Sequence, residues 1–286
     1  MKKQIFVVII LALINTGILI YSLIPDKEII DKKQEEIENK EEIFENETLT
    51  KFKKQKYFLE KNKDTYLEYY EENKDKEIDE IIKIVNTNIN HEFFTNTKEA
   101  NISKDFLILV NKYYYLKEDY EPNNLVTINT NYATSNQRII NEVFEKYKEM
   151  LEVAKEAKMD LIIISSYRDY KSQETIYNNY VKESGEKLAN RFSAKPGHSE
   201  HQLGLALDIM KPGTNFNNFE NTNEAKWLKE NAYKFGFILR YDKSKEYVTG
   251  YKYEPWHYRY VGLEVAKYIF ENDITFDEYY AFYLDK

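Results

Sequence analysis

Two histidines and two carboxylates in the second half of the chain have types and spacings suited to metal chemistry. His201 precedes Asp208 by seven positions, and Glu254 precedes His257 by three. Imidazole nitrogens and a carboxylate oxygen are ligands that zinc accepts, and three protein ligands leave the fourth position open for water, as in catalytic zinc sites. We therefore interpret His201, Asp208 and His257 as candidate metal ligands. Glu254 would stay free to take a proton from water and hand it to a leaving amine, which is the chemistry of peptide hydrolysis.

The composition restricts the kinds of site and partner. The chain has no cysteine and four histidines, so disulfides, thiolate zinc sites and a cysteine nucleophile are excluded. Taken singly, a histidine in a polar loop or an aspartate in a turn is usually structural, and only the combination favours a metal. The net charge is −8, from 41 Lys and Arg against 49 Asp and Glu. Because phosphate binding needs clustered basic residues in excess, we expect no nucleic-acid partner.

Short predicted strands position these side chains. Residues 161–164 form an apolar run that predicts a buried strand, which delivers Arg168 shortly after its end. Alternating apolar residues over 205–209 predict a second strand that carries the aspartate, and 257–261 a third that begins at the second histidine. Polar residues at strand ends are well placed to line a cleft.

Helices are predicted between these strands. A helix with an apolar face is expected from about Ser135, a plausible N-cap, and another is expected to end at Gly236 in a C-cap position. The predicted helices cover residues 135–157, 172–183, 224–235 and 263–271. Because strands and helices do not alternate regularly, the pattern favours an α+β fold.

The N-terminus predicts a membrane anchor. An uncharged, largely apolar run over residues 4–25 follows Lys2 and Lys3 and is long enough to span a bilayer. Basic residues before the run and the acid-rich residues 26–47 after it favour a cytoplasmic N-terminus and an extracellular remainder. We expect a single-pass protein of the cell membrane, anchored by residues 1–25. A cleaved secretion signal is the alternative.

The residues after the anchor predict a spacer and then one folded domain. From Asp26 to about Lys56 acids and bases mix with few apolar residues, whereas residues 57–85 are richer in aromatic residues and isoleucine and could begin the folded unit. We assign residues 26–75 to a charged helical or extended stalk. The domain is predicted over 76–286, with a core at about 106–270. Nothing in the sequence indicates an oligomeric state.

Three ordered motifs resemble one enzyme family. Ser199, His201, Gly204, Ala206 and Asp208 match the motif Ser-x-His-x-x-Gly-x-Ala-x-Asp. The second motif, Glu-Pro-Trp-His-Tyr-Arg-Tyr-Val-Gly, covers 254–262, and Ser166-Tyr167-Arg168 with Gln173 matches an upstream signature. Over roughly 106–269, the chain resembles the VanY-type, zinc-dependent D-alanyl-D-alanine carboxypeptidases, which share a fold with VanX dipeptidases and the Hedgehog signalling domain.

The resemblance implies a fold and a set of residue roles. It implies a small, mainly antiparallel sheet with flanking helices, as in Hedgehog and DD-peptidase domains. By the same resemblance, zinc is held by His201, Asp208 and His257, and Glu254 is the general base and acid. Arg168 would bind the substrate or the oxyanion. The remaining candidates for substrate contact are Gln173, Ser199 and Trp256, for which a structural hydrogen bond or packing is the alternative.

The resemblance also implies a substrate. The family acts on peptidoglycan stem peptides in cell-wall metabolism and removes the terminal D-alanine. Close relatives are L,D-carboxypeptidases that cut the tetrapeptide stem, so this alternative stays open. Two others are a non-catalytic wall-binding domain that keeps zinc for stability, and a membrane-anchored adaptor that works through its stalk. Retention of Glu254 and Arg168 beside all three ligands counts against the non-catalytic domain.

Overall fold

The computed structural model describes residues 32–33, 35–36 and 45–285. The chain divides into two compact units, one ending at Lys51 and one beginning at Phe52. The described residues of the first unit are helical. The predicted membrane anchor and most of the predicted stalk up to residue 44 lie outside the described residues. Within the described ranges, we find no helix long and apolar enough to cross a membrane.

The second unit opens with a small helical cluster that has its own core. Phe52, Tyr66 and Ile81 are fully buried, and the rings of Phe52 and Tyr66 stack with their centroids 5.3 Å apart. Residues 52–75, which the sequence assigned to the stalk, therefore lie inside this compact unit. The richer aromatic content from Tyr57 onward indicated a folded unit, but the many charges around it left the start of that unit undefined by the local pattern.

The second unit combines α-helices with short strands. Its α-helices are α1 (Lys63–Glu72), α2 (Ile78–Asn86), α3 (Asn141–Glu156), α4 (Tyr170–Ser184), α5 (Glu186–Ala189), α6 (Phe216–Phe219), α7 (Asn223–Asn231), α8 (Glu246–Thr249), α9 (Leu263–Glu271) and α10 (Phe276–Tyr279). Its strands are β1 (Lys98–Glu99), β2 (Tyr114–Tyr115), β3 (Leu125–Ile128), β4 (Gln137–Ile140), β5 (Ile162–Ser165), β6 (Ala206–Met210), β7 (Phe237–Leu239) and β8 (His257–Tyr260).

The central sheet has four antiparallel strands in the order β5-β6-β8-β7. Strand β6 is buried along its whole length, and β8 likewise, which places the middle of the sheet in the core. The strands predicted to carry Asp208 and His257 are these two. A mixed α+β fold with small antiparallel sheets is confirmed.

One predicted helix starts later than the sequence indicated. Residues 137–140 form β4, which pairs antiparallel with β3 and places Val126 opposite Ile139, and helix α3 begins only at Asn141. Ser135 is therefore not its N-cap. The pair Ile139 and Ile140 fits either a strand or a helix, and pairing with β3 decided between them.

Candidate metal centre

The register of the central sheet places two candidate ligands side by side. Asp208 on β6 lies directly opposite His257 on β8, and Ser165 on β5 lies opposite Asp208 on its other side. Directly opposed residues on an antiparallel pair bring their side chains within contact distance. Residues 49 positions apart in sequence are thus neighbours because of strand pairing.

The third candidate ligand comes from a tight turn before β6. His201 lies in the 3-10 helix Glu200–Leu203, whose N-cap Ser199 accepts a hydrogen bond from the His201 backbone amide at 3.4 Å. Gly204 ends the turn in the left-handed region, with φ of +67°. A Cβ there would lie 3.1 Å from Leu125 Cδ2 and 3.2 Å from Ile140 Cγ1. Gly204 therefore combines a conformation and a close approach that other residues do not tolerate well.

The three side chains form a compact, buried donor set. The Nε2 atom of His201 lies 3.5 Å from Asp208 Oδ2, and the Nδ1 atom of His257 lies 3.2 Å from Asp208 Oδ1. The candidate ligand atoms lie within 4.8 Å of one another. Ligands at about 2.0–2.1 Å from a tetrahedral zinc are roughly 3.3 Å apart. Among the described residues, the buried Asp208 Oδ1 has no hydrogen-bond partner beyond the ion-pair contact with His257 Nδ1, so this oxygen is available to a cation once that nitrogen loses its proton.

Outer hydrogen bonds orient both imidazoles as a zinc ion requires. His201 Nδ1 lies 2.6 Å from the Ser166 carbonyl oxygen, which can only accept, so Nδ1 donates and the lone pair lies on Nε2. His257 Nε2 lies 3.2 Å from Glu200 Oε2, and an ionised carboxylate likewise only accepts. His201 Nε2 and His257 Nδ1 therefore face Asp208, and each offers a lone pair to a metal when it carries no proton. A carbonyl or carboxylate partner on the outer nitrogen is typical of metal-bound histidine.

The electrostatics of the cluster favour a positive charge at its centre. Burial alone would raise the pKa of the Asp208 carboxyl, but His201 and His257 hold it well below its usual range. Burial alone would lower the pKa of His257, whereas Asp208 and Glu200 raise it to about 9. Without a metal, His257 therefore keeps a proton beside Asp208. A divalent cation would take the place of that proton, since metal binding releases protons from its ligands.

Glu254 lies beside the donor set without belonging to it. Its Oε2 atom is 3.7 Å from His257 Nδ1, and its side chain is 13% exposed. The His257 amide donates to the Glu254 carbonyl at 3.1 Å, so the intervening Pro255-Trp256 pair forms a tight turn that brings the carboxylate back to the site. Burial, assisted by Asp208 and opposed by His257 and Arg168, raises the pKa of Glu254 to about 7. Such a group can both accept and donate a proton near neutral pH.

Arg168 extends into the same cavity from the end of β5. Its Nη1 donates to Gln173 Oε1 at 2.7 Å, and its Nη2 donates to Ser165 Oγ at 3.1 Å. Burial lowers the pKa of Arg168, but the guanidinium stays charged because Asp208 and Glu254 act in the opposite direction. Gln173 also donates to the Ala194 carbonyl at 2.7 Å. The predicted substrate residue Gln173 thus orients the guanidinium, while Ser199 caps the turn of His201.

The cavity around these groups is large and partly aromatic. It has a volume of about 550 Å³ and includes the three candidate ligands, Glu254, Arg168, Gln173 and Ser199 in its lining. One wall is aromatic, with Trp256 packed edge-on against Phe216 at a centroid distance of 4.6 Å. Further apolar lining comes from Ile176, Tyr180, Phe192, Tyr241, Tyr251 and Tyr253. All eight residues singled out from the sequence therefore border one cavity.

Two buried arginines behind the site were not found by sequence reasoning. The side chains of Arg240 and Arg259 are 0% exposed and both donate to Glu200 Oε1, at 2.7 and 2.9 Å. Although burial would raise the pKa of the Glu200 carboxyl, the two arginines hold it well below its usual range. One signal was available: Arg259 follows His257 by two positions on a strand and so shares its face.

The sequence and the structure are similar to known carboxypeptidases. Residues 136–263 match the family model VanY, D-alanyl-D-alanine carboxypeptidase. The putative carboxypeptidase YodJ of Bacillus subtilis (strain 168) is 42% identical over 184 residues, which cover 62% of this chain and 67% of YodJ. The solved LdcB LD-carboxypeptidase has a TM-score of 0.61 and 41% identity, over 66% of this chain and 91% of LdcB. A vancomycin-resistance D,D-pentapeptidase VanY mutant in complex with Zn(II) has a TM-score of 0.53 and 34% identity, over 60% and 97%.

Proposed function

Because the chain belongs to the VanY family of D-alanyl-D-alanine carboxypeptidases, we propose that its cavity removes the terminal residue of peptidoglycan stem peptides. The protein is a zinc metallopeptidase. The observation that carries the assignment of roles is the convergence of His201, Asp208 and His257 as a buried donor set with Glu254 and Arg168 at its edge. A site that kept zinc for stability alone would need neither of the last two residues.

His201 Nε2, one Asp208 carboxylate oxygen and His257 Nδ1 would hold the zinc. When bound, zinc supplies a Lewis acid that polarises the scissile carbonyl and makes water more acidic. Glu254 accepts the proton from the attacking water, because its carboxylate borders the donor set and its pKa lies near neutrality without metal. Glu254 would start the reaction as the base, because positive charge at the donor set favours its ionised form. Glu254 then returns the proton to the leaving amine nitrogen.

Arg168 provides the second charge that the reaction needs. A carboxypeptidase substrate ends in a free carboxylate, and its carbonyl oxygen gains negative charge during attack. A guanidinium offers a rigid set of N–H donors to either group. Hydrogen bonds to Gln173 and Ser165 hold it at the cavity wall, so little reorganisation is needed when substrate binds.

The first candidate substrate is a stem pentapeptide that ends in D-alanyl-D-alanine. The family description names this substrate class, and a similar enzyme is a D,D-pentapeptidase. The second candidate is the tetrapeptide stem, cut at an L,D bond. The structural comparison supports this second candidate, because the LD-carboxypeptidase LdcB has a higher TM-score and a higher identity to this chain than the D,D-pentapeptidase has.

The identity of the product tests this proposal. Zinc-loaded protein is incubated separately with pentapeptide and tetrapeptide stems, and the products are weighed by mass spectrometry. We expect loss of one alanine residue from the pentapeptide. Loss of alanine from the tetrapeptide alone would assign the L,D reaction, and no mass change in either peptide would reject the enzymatic function.

Replacement of Arg168 by lysine should lower kcat/KM on the preferred stem peptide by about 10- to 100-fold. Lysine keeps the charge but loses the planar fork, and a hydrogen bond to a charged group contributes about 1.5–3 kcal/mol. Steady-state kinetics and zinc content measure the effect. Lys252→Gln, a change at another cationic residue of the cavity lining, is the control and should change kcat/KM much less. Equal activity of Arg168→Lys and wild type would remove Arg168 from the mechanism.

The place of action follows from the substrate and the N-terminus. The domain would act outside the membrane, where the wall lies, and the apolar residues 4–25 would anchor it or serve as a cleaved signal. Membrane fractionation with external protease distinguishes these cases, and recovery of the full chain in the cytosol would contradict both.

A further inference from the structure

A chain of buried charged side chains leads from the metal site to helix α10. Glu200 receives hydrogen bonds from His257 Nε2 at 3.2 Å, Arg240 Nε at 2.7 Å and Arg259 Nη1 at 2.9 Å. Arg240 Nη1 then donates to Asp277 Oδ2 at 2.5 Å. The side chains of Glu200, Arg240 and Arg259 are 0% exposed, and that of Asp277 is 2% exposed. Because water does not reach these groups, each contact fixes the geometry of the next.

Asp277 balances the charge in this chain. Two guanidinium groups share one oxygen of Glu200, so Glu200 alone cannot compensate them both. A buried cation without a partner is strongly unfavourable. Asp277 supplies the second carboxylate and binds Arg240 through a different nitrogen from the one that binds Glu200. The planar guanidinium is thereby clamped between two carboxylates, which sets where Glu200 lies.

Arg259 is held by other groups, so of the two arginines only Arg240 depends on Asp277. Arg259 Nη2 donates to the carbonyl oxygens of Phe106 and Ile108, at 2.9 and 2.8 Å. Arg240, by contrast, binds Glu200 and Asp277. The loss of Asp277 would therefore leave Arg259 in place and release Arg240.

Asp277 is itself held in one position. Its Oδ1 accepts a hydrogen bond from Asn111 Nδ2 at 2.8 Å. Helix α10 starts with a capping box between Thr275 and Glu278, which fixes the turn that carries Asp277. The residue lies 14 positions after the end of the family match at 263. The C-terminal segment thus contributes a side chain to the support of the metal site.

We propose that Asp277 is a positioning residue of the metal site, which acts through Arg240 and Glu200 to hold His257 with its Nδ1 directed at the metal. This inference rests on the proposed function, since it takes His257 as a zinc ligand. Carboxylates that bind the outer nitrogen of a metal-bound histidine typically change metal affinity or activity by about 10- to 100-fold. Asp277 lies two contacts beyond Glu200, the carboxylate that binds that nitrogen, so a smaller effect is expected.

Asp277→Asn tests the proposal in the full chain. We expect the zinc Kd, measured by competition with a chromophoric chelator, to rise by about 3- to 10-fold. The visible spectrum of the cobalt-loaded protein should change, because it reports the geometry of the ligands. On stem peptide, kcat should fall while KM changes little, since Arg168 lies outside this chain of contacts.

Glu278→Gln is the matched control. Glu278 is the next residue on the same helix turn, its side chain is also buried, and its carboxylate accepts a hydrogen bond from the Thr275 amide rather than from Arg240. Glutamine can accept the same hydrogen bond, so the change removes the charge and keeps the capping box. The control should keep the zinc Kd and the cobalt spectrum of wild type. A wild-type Kd and spectrum for Asp277→Asn would overturn the proposal, as would equal changes in both variants.

A second variant covers the case in which Asp277→Asn does not fold. The double change Arg240→Met with Asp277→Leu removes both charges together and is better tolerated than one unpaired charge. It should fold and bind zinc more weakly than wild type, and wild-type affinity would overturn the proposal. If the wild-type protein bound no zinc, the proposed function would fail before the role of Asp277 could be tested. Titration of the wild-type protein alone distinguishes this case.

Discussion

Glu254→Gln should abolish turnover of the stem peptide while the protein keeps its fold and its zinc. Glutamine has nearly the same shape but cannot accept the proton of the attacking water. General acid–base catalysis contributes roughly 10²–10⁴-fold to a rate. Because Glu254 would serve as base and then as acid, we expect a loss of kcat of at least about 10³-fold. Steady-state release of alanine, measured alongside zinc content, checks this.

The control for this variant is Glu264→Gln, which neutralises an exposed glutamate at the start of helix α9. Its kcat should equal that of wild type. Zinc affinity should change little in Glu254→Gln, because the carboxylate is next to the donor set but not required to complete it. Hydrolysis by Glu254→Gln within about tenfold of wild type would assign the proton transfer to another group.

Asp208→Asn should greatly weaken zinc binding. Structural zinc sites bind with about 10–16 kcal/mol shared among four ligands, so one ligand contributes about 3 kcal/mol, or roughly two decades in Kd. Aspartate should matter at least this much, since it is the anionic member of the set and lies against both imidazoles. We expect a rise in the zinc Kd of at least about 100-fold and a parallel loss of activity at limiting zinc.

Thermal unfolding supplies an independent measurement for Asp208→Asn. A ligand that binds only the folded state raises Tm according to its concentration relative to Kd. Zinc should therefore raise the Tm of wild type and of the exposed-site control Asp119→Asn, and should raise that of Asp208→Asn much less. An equal zinc-dependent shift in all three proteins would mean that Asp208 is not a ligand.

The sequence predicted which residues form the site better than it predicted how the fold brings them together. His201, Asp208, Glu254 and His257 were singled out from their types, order and spacing, and they border one cavity. The local pattern also indicated the strand that carries Asp208. It could not show that this strand lies opposite His257, because strand register depends on pairing over 49 residues.

The supporting groups lay beyond the reach of sequence patterns for a physical reason. Arg240 follows strand β7, whereas Arg259 lies on β8 and Asp277 on helix α10. Each is charged, and charged residues are usually exposed. Only their mutual pairing makes burial favourable. Likewise, the aromatic residues from Tyr57 onward indicated a folded unit but not where it starts, since the core that buries Phe52 and Tyr66 also includes residues of helix α2. Local periodicity identifies a face of one element but not the partner that covers it.

The most direct test of the central claim is a zinc titration of metal-free wild-type protein. Zinc is removed with a chelator and added back in steps, while bound metal and alanine release from stem peptide are followed together. We predict no hydrolysis without metal and a linear rise in activity that levels off at one zinc per chain. Undiminished hydrolysis by the metal-free protein, or zinc binding that restores no activity, would contradict the assignment of His201, Asp208 and His257 as the ligands of a catalytic zinc.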